Sequence, residues 1–499
     1  VLGCAIFLFL ETFVLPLTPR VAGGDQSIYL HDAARMFDGE VIYRDFDHFT
    51  FPGTSAIYCG LFRWFGVRAW IPQAMLILIG TLIAWLSFGV CRKVMSGPLI
   101  FLPGILFVVL PFTGYLDATH HWYSTLAATG ALAVVMQERT RSRVATAGVL
   151  WGLGTWFAQS MVLGPVGLVL FLIWEARRAK ASPSQPSAWK SALGKKISIV
   201  LGCYLATVVT FNAYFVARVG LGKFFYNTFV FVAKYYPKDS FNTWGSYLSS
   251  HPPIQTWATS WHDLPAWMLT TVLLPLIYIL FFVRYRHEAR LKPDVPWERL
   301  MLVNVTGLSM LLTVASAAAY NRLYTVVLPG LILLVWFLDT ELKVERVLLR
   351  GVWGMVLLLA VVKPAITQTR WRRVLNLPTG RAVFFTPAAY DKTAWLLERT
   401  RPSEYFFGDQ FDGFVLRLRD PGPVAFVRPT GYTRPEEVRA LVQGLEEHQV
   451  EFVSWYAGLD DEVVDSMGDN LGPLREELRK HYRVAATFAN DDKIWERRR

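Results

Sequence analysis

The sequence predicts a polytopic α-helical membrane protein that ends in a small α/β domain. Three observations carry that class. The chain has 499 residues, 53% hydrophobic and 15% aromatic, and its apolar residues gather in long blocks, unlike the mixed composition of soluble domains. Many blocks reach the roughly 17–25 residues that a helix needs to cross the hydrocarbon of a bilayer. Beyond residue 366 the pattern changes: charged residues, Pro and Gly rise, and apolar runs shorten.

The first predicted span is 1–17, followed by 70–91, 99–112 and 122–136. The block 144–174 is too long for one ordinary span, and Gln159 and Ser160 near its middle predict two helices joined by a tight turn. Spans at 197–217, 264–283, 300–319, 323–338 and 352–366 complete a set of about eleven. Residues 55–65 are left over and are too short to cross, so they are expected to be interfacial or re-entrant. No basic region precedes the first apolar run, so no cleavable signal peptide is expected.

Charge orients these spans. With 55–65 excluded, Arg92 and Lys93, the cluster 139–143, and the loops 177–196, 284–292 and 343–350 all fall on one side. That side is expected to be cytoplasmic, because short cytoplasmic loops are rich in Lys and Arg. The same loops account for the formal net charge of +11 without any nucleic-acid partner. Segments 18–68, 113–121, 218–263 and 320–322 then face outward, as does the tail 367–499. Cys4, Cys59, Cys91 and Cys203 all lie in apolar segments without metal-ligand or CxxC spacing, and the tail has no cysteine to staple it.

In the tail, "AVFFTP", "EYFFGD", "PVAFV", "VEFVSWY" and "YRVAATF" read as strands. "AYDKTAWLLERT", "RPEEVRALVQGLEEHQ" and "GPLREELRKHY" read as amphipathic helices, with Thr433 as an N-cap ahead of Pro435. Strands that alternate with helices predict a small α/β domain. The tail has no Walker loop, no GxGxxG and no nucleophile elbow. Asp460, Asp461 and Asp465 lack EF-hand spacing and read as a solvated loop.

The first outward segment, "GGDQSIYLHDAARMFDGEVIYRDFDHF", holds most of the candidate chemistry. A helix from Asp25 would place Ile28, Ala33 and Met36 on a modest apolar face, as in a helix lying on a membrane surface. Asp32, Asp38 and Glu40 are then expected in water. Asp25 follows Gly23-Gly24 at a natural N-cap position, and Asp117, in "GYLDATHHWYS", stands where it would cap the fourth span. Two carboxylates on loops of one face also suit a shared site. The same face offers His120, His121, Lys223, Lys234, Lys238, His251, His262 and Arg322.

The order of these features resembles the GT-C class of membrane glycosyltransferases, in particular the bacterial branch related to protein O-mannosyltransferases and lipid A aminoarabinose transferases. The residues that carry the resemblance are the Asp that opens the first outward loop, the following "YRDF", Pro52, and the short apolar segment that ends at Gly66. Asp117, "GVLWGLGTWFAQ" and "NRLYTVVLPGLILL" extend it over roughly the first 340 residues.

The resemblance implies transfer of a sugar from a polyprenyl-phosphate donor to a lipid, polysaccharide or protein acceptor, with inversion, at the outer face of a bacterial cytoplasmic membrane. It implies Asp25 as general base and Arg322, Lys223 and Lys234 as donors to the leaving phosphate. Asp45, Asp47, His48 and Asp117 would position acceptor or sugar, and the carboxylate oxygens of Asp45, Asp47 and Asp117 would suit Mg²⁺ or Mn²⁺; metal dependence stays open. Two other classes compete. A transporter or lipid flippase usually carries charged residues at mid-span, where this sequence has only Glu11. A non-catalytic receptor or scaffold would use the tail to bind a partner.

The orientation has a direct check. Protease added to intact spheroplasts should release the tail 367–499, and protection of the tail would overturn the assignment of sides.

Overall fold

The computed structural model describes residues 1–21, 23–179, 188–250, 264–339, 343–424, 426–455 and 469–499. His251, His262, Asp460, Asp461 and Asp465 lie outside the described residues. Among the described residues six helices are long and apolar enough to cross a membrane: Ile71–Cys91, Gln159–Arg178, Lys190–Val219, Leu264–Glu288, Trp297–Ala317 and Glu345–Thr369. The chain is a multi-pass membrane protein. Helices Tyr320–Val326 and Leu328–Leu338 form a further pair bent by 67°. Pro329 in the first turn of the second of them cannot continue the hydrogen bonding of the first.

In chain order the helices begin with α1 (Leu2–Thr12), α2 (Asp25–Phe37), α3 (Gly53–Phe65), α4 (Ile71–Cys91) and α5 (Leu102–Phe107). They are followed by α6 (His120–Val135), α7 (Arg141–Phe157), α8 (Leu163–Ala179) and α9 (Ala188–Val219). The long block divides where Gln159 and Ser160 predict it, at the short turn Gln159–Val162 between α7 and α8. Gln159 Nε2 donates to the Phe49 carbonyl at 2.9 Å, which pins that turn to the first loop. The leftover segment is α3, 13 residues long, or about 20 Å at 1.5 Å per residue. That falls short of the roughly 30 Å of hydrocarbon.

Small residues bring α7 and α9 together. A Cβ on Gly148 would lie 2.5 Å from the Val200 carbonyl, and one on Gly152 would lie 2.6 Å from Thr207 Cβ. In lipid there is no hydrophobic gain from helix association, so such close backbone packing carries more of the attraction.

The loops sort to two ends as the charge pattern requires. At one end Arg139 pairs with Glu175 (2.7 Å) and with Glu298, and Arg299 Nη1 donates to the Lys93 carbonyl at 3.2 Å. At the other end the segments around 23–52, 113–119, 221–250 and 319–322 meet each other and the tail. Buried charge near the spans is also at this second end. Glu11, in the last turn of α1, accepts from Thr367 Oγ1 at 3.2 Å. Lys363, buried in the last long helix, donates to Thr113 Oγ1 at 3.1 Å. Glu11 is therefore not a lone mid-span charge, and Lys363 is a second one that the hydropathy reading passed over.

The tail opens with the hairpin β3 (Arg373–Leu377) and β4 (Gly380–Phe384), after the two-residue pair β1 (Phe13–Val14) and β2 (Thr18–Pro19) near the first helix. A four-stranded sheet follows, built from β5 (Phe406–Phe407), β6 (Phe452–Trp455), β7 (Tyr482–Thr487) and β8 (Lys493–Arg497) in the order β5-β6-β8-β7. The β5–β6 pair is parallel and the others are antiparallel. Helices Pro387–Arg399, Pro435–Glu447 and Gly472–His481 match the amphipathic segments read from the sequence. Val438, Leu441, Leu445, Leu474 and Leu478 pack on Val453 and Trp455.

Several expectations are corrected here. The described residues of "PVAFV" are irregular, not a strand. Strand β8 went unread because charges flank its two buried residues, Ile494 and Trp495, and leave no alternation. Thr433 is not the N-cap. Its Oγ1 instead accepts from Arg428 N at 2.7 Å and donates to Arg428 O at 3.1 Å, while Arg434 caps the helix with Glu437 accepting its N–H at 2.6 Å. Nor does α2 lie on a membrane surface: Asp32 is buried, whereas Asp38 is exposed and Glu40 half-exposed, as expected. His31 Nε2 and Arg35 Nη1 reach Asp420 of the tail at 2.8 and 2.9 Å, and Asp38 pairs with Arg417 at 2.9 Å. Glu40 pairs with Arg35 at 2.6 Å, and Asp32 is wholly buried. The polar face of α2 meets charged groups of the tail that local periodicity cannot register.

Packing between α7 and α9 is open to test. Gly148→Val should lower the thermal midpoint, at a cost of about 1–3 kcal/mol for overpacking. Gly202→Val, on the same helix pair with nothing within 4 Å of the added Cβ, should leave the midpoint close to wild type.

Candidate active site

Helix α2 begins at Asp25 for two reasons. Gly24 takes a φ of +137°, which side chains disfavour. The first amides of the helix also find a carboxylate from another loop. Asp117 Oδ2 accepts from Asp25 N at 3.1 Å and Oδ1 accepts from Gln26 N at 2.8 Å. An anion at that position satisfies free N–H groups and complements the positive end of the helix dipole. Gln26 closes the exchange: its Oε1 accepts from Ala118 N at 3.1 Å. Gly24 also makes room, since a Cβ there would lie 3.0 Å from Asp117 Oδ2.

Asp117 therefore caps α2 and not the fourth span, whose N-cap is Thr119 without a side-chain bond. Asp25 is the first helical residue and not the cap, which leaves its carboxylate available to the site. Tyr115 Oη donates to Asp25 Oδ2 at 3.4 Å. Burial, reinforced by the Asp25 charge, pushes the Asp117 carboxyl above its ordinary value, against the pull of the two amides.

Arg322 approaches from the opposite side. It is buried, and its guanidinium donates to the Ala317 carbonyl at 3.0 Å and to Tyr236 Oη and Asn242 Oδ1, each at 2.9 Å. The Phe241 ring lies 5.2 Å from it. The charges of Asp25 and Arg322 both act on Tyr115 and on Tyr236; Asp25 meets Tyr115 and Arg322 meets Tyr236 directly. His120 and His121 stand beside them with ring centroids 3.9 Å apart, just ahead of the apolar run that begins at Trp122. Burial and then the Arg322 charge hold His121 well below its ordinary value; His120 is lowered by burial, by His121 and by Arg322.

A second layer lies against the tail. Asp47 Oδ2 is 3.3 Å from Arg434 Nη2, and burial raises the Asp47 carboxyl. Tyr432 packs on Phe231 at 5.2 Å and on Tyr236 at 6.4 Å. His48 is buried, with Nδ1 2.8 Å from Asp32 Oδ2 and Nε2 2.5 Å from Thr50 Oγ1.

Asp25, Asp117, Arg322, Asp47 and His48 are thus gathered at one end of the bundle, whereas three further candidates have other partners. Asp45 accepts from Val41 N at 2.7 Å and pairs with Arg44 at 2.7 Å, closing a local turn. Lys223 is exposed and donates to the Arg44 carbonyl at 3.0 Å, and Lys234 is exposed over the Tyr235 ring. Asp45 and Asp117 bond both carboxylate oxygens to protein groups, whereas Asp47 meets Arg434 through Oδ2. Among the described residues they do not join a group of three ligand atoms; the group with that spacing is Glu446, Glu477 and His481 in the tail.

Tyr29, Thr50, Tyr115, Tyr236 and Asn242 escaped the sequence reading. Only Tyr29 left a signal: Asp25, Tyr29 and Asp32 fall at i, i+4 and i+7, on one face of a helix.

No protein-family model matches the sequence, and no curated protein matches it. Solved structures do match its fold. ArnT from Cupriavidus metallidurans, bound to undecaprenyl phosphate, aligns with a TM-score of 0.61 at 12% identity, over 99% of this chain and 97% of that one. The oligosaccharyltransferase AglB from Archaeoglobus fulgidus, in complex with an inhibitory peptide and a dolichol-phosphate, aligns at 0.51 and 13% identity, over 98% and 73%. The same Archaeoglobus enzyme in complex with Zn and sulfate aligns at 0.50 and 13% identity, over 96% and 70%. Both proteins are GT-C glycosyltransferases, and the chain has their fold.

The latch between α2 and the Asp117 loop is measurable. Asp117→Ala should destabilise by about 0.5–2 kcal/mol, the usual cost of a lost cap. In a double-mutant cycle with Gln26→Ala the losses should be less than additive, since the two residues hold the same pair of segments. Strict additivity of thermal unfolding would contradict the latch.

Proposed function

We propose that this protein is a GT-C glycosyltransferase that moves a sugar from a polyprenyl-phosphate donor to a lipid, polysaccharide or protein acceptor, with inversion, at the outer face of a bacterial cytoplasmic membrane. The reading rests on the shared fold and on one observation: the charges of Asp25 and Arg322, from segments about 300 residues apart in sequence, act on the same two phenols, Tyr115 and Tyr236. A carboxylate opposite a buried guanidinium suits displacement at an anomeric carbon. Asp25 takes the acceptor hydroxyl proton. Arg322 stabilises the charge that develops on the departing phosphate. Asp117 acts through α2 by fixing where Asp25 starts, and Asp47 and His48 hold the adjoining layer against the tail.

In this reading the bundle has about eleven spans, residues 1–366 form the transferase domain, and residues 367–499 form an extracytoplasmic α/β domain. The loops that carry the site share an end opposite the Arg139–Glu175–Glu298 cluster, as the positive-inside orientation requires. Arg322 carries the phosphate role without Lys223 and Lys234. The metal group of the tail, Glu446, Glu477 and His481, includes an imidazole and would suit Zn²⁺ better than Mg²⁺.

Incubation of the purified protein with a panel of polyprenyl-phosphate sugars tests the activity, and consumption of none of them would reject it. Asp25→Asn should leave a folded protein with turnover lowered about 10²–10⁴-fold. Arg322→Ala should weaken binding of undecaprenyl phosphate more than binding of acceptor, and the reverse pattern would remove Arg322 from the phosphate role.

A further inference from the structure

Around His48 five side chains form one continuous line. Asp32 Oδ2 lies 2.8 Å from His48 Nδ1, and His48 Nε2 lies 2.5 Å from Thr50 Oγ1. Thr50 Oγ1 is 3.4 Å from Tyr29 Oη, and Tyr29 Oη is 2.5 Å from His120 Nδ1. Tyr29, Asp32, His48 and Thr50 are all buried. Buried polar groups persist when each donor meets an acceptor, and that condition sets the proton count.

Thr50 and Tyr29 each own one hydroxyl proton, and the ion-pair contact with Asp32 favours a proton on His48 Nδ1. Two complete arrangements exist. In the first, His120 Nδ1–H donates to Tyr29, Tyr29 to Thr50, and Thr50 to a bare His48 Nε2; His120 Nε2 is then bare. In the second every bond is reversed: His48 Nε2–H donates to Thr50, Thr50 to Tyr29, and Tyr29 to His120 Nδ1, so His120 carries its proton on Nε2. The second arrangement holds one proton more, and the added charge sits on His48 beside Asp32.

We propose that this line is a proton relay, entered at His120 and ending on the His48–Asp32 pair, that carries away the proton released by each glycosyl transfer. It rests on the glycosyltransferase reading. In the transfer the acceptor O–H bond breaks and its oxygen bonds to the anomeric carbon, while the bond from that carbon to the phosphate oxygen breaks and its electron pair leaves with the phosphate. The freed proton passes to Asp25 and from there reaches His120 Nε2 through water in the site. His120 gives its Nδ1 proton to Tyr29, Tyr29 gives its own to Thr50, and Thr50 gives its own to His48 Nε2. His120, Tyr29 and Thr50 end with as many protons as they began.

The local field favours this direction. A positive charge on His120 is opposed by His121, Arg322 and His48. The same charge on His48 faces Asp32, in an environment that also holds Arg35 and Tyr43. His48 further lines a cavity of about 40 Å³ with Asp47, Arg434 and Glu437, large enough to hold water. That gives the stored proton a way out between the first loop and the tail.

Thr50→Val interrupts the line while keeping the side chain's shape. In the full-length protein with ¹⁵N-labelled histidine, His120 should change tautomer over the pH interval in which His48 gains its proton. In Thr50→Val the two events should separate. A His120 tautomer that does not change with pH in the wild type, or a coupled change that survives Thr50→Val, overturns the relay. In turnover, Thr50→Val and His48→Gln should each lower kcat about 10–100-fold at nearly unchanged KM for the donor, with partial recovery in imidazole buffer. Wild-type kcat in either variant, at an unchanged thermal midpoint, also overturns it. If the wild type transfers no sugar from any polyprenyl-phosphate donor, the glycosyltransferase reading fails, whereas the histidine titration still decides whether the line conducts protons.

Discussion

The seating of Asp117 on the first two amides of α2 is the contact on which the site depends. It fixes where the helix begins, and the starting point of a helix sets the direction of every side chain along it. Asp25, Tyr29 and Asp32 then share the face that meets Tyr115, His120 and His48. A shift of one residue would turn that face by about 100° and part all three contacts. Gly24 and Gln26 serve the same contact. One leaves space for the carboxylate, and the other returns a hydrogen bond to Ala118. A carboxylate spent on a helix start thereby frees its neighbour Asp25 from capping.

Charge is distributed around that start with little duplication. Arg322 is held by two side-chain oxygens and a carbonyl, none of them a carboxylate, so its positive charge is not neutralised by its own supports. Burial and that charge hold the two histidines beside it below their ordinary values. The carboxylates nearest the tail are instead paired: Asp420 with His31 and Arg35, Asp38 with Arg417, and Asp47 with Arg434. Paired charges lock the tail onto α2, while a guanidinium held by neutral oxygens remains able to meet an anion. In a buried setting the difference matters, because a charge without a counter-ion attracts a ligand of opposite sign strongly.

Much of the architecture was legible in local patterns. The division of the 144–174 block at Gln159, the short third helix, and the grouping of basic loops at one end follow from run length and charge, which are properties of each segment alone. The same holds for the three tail helices, whose apolar residues recur at helical spacing. Asp25, Asp117 and Arg322 were legible as chemistry because polar groups beside apolar spans are few. Errors arose where a residue's partner is distant in sequence. Asp32 reads as a solvated acid on its own helix and proves to be buried against His48.

By itself the sequence determined that this is a multi-pass helical membrane protein with an appended segment of strands and helices, and it singled out the end at which chemistry belongs. Hydropathy and charge suffice for that because transfer between water and lipid acts on each segment separately. Only the tertiary structure decided that Asp117 starts α2, that the charges of Arg322 and Asp25 act on the same phenols, and that five side chains from three stretches form one line from Asp32 to His120. Those outcomes depend mostly on hydrogen bonds between groups as far as 92 residues apart, whose geometry is set by the packing of the whole bundle and leaves no local trace in the chain.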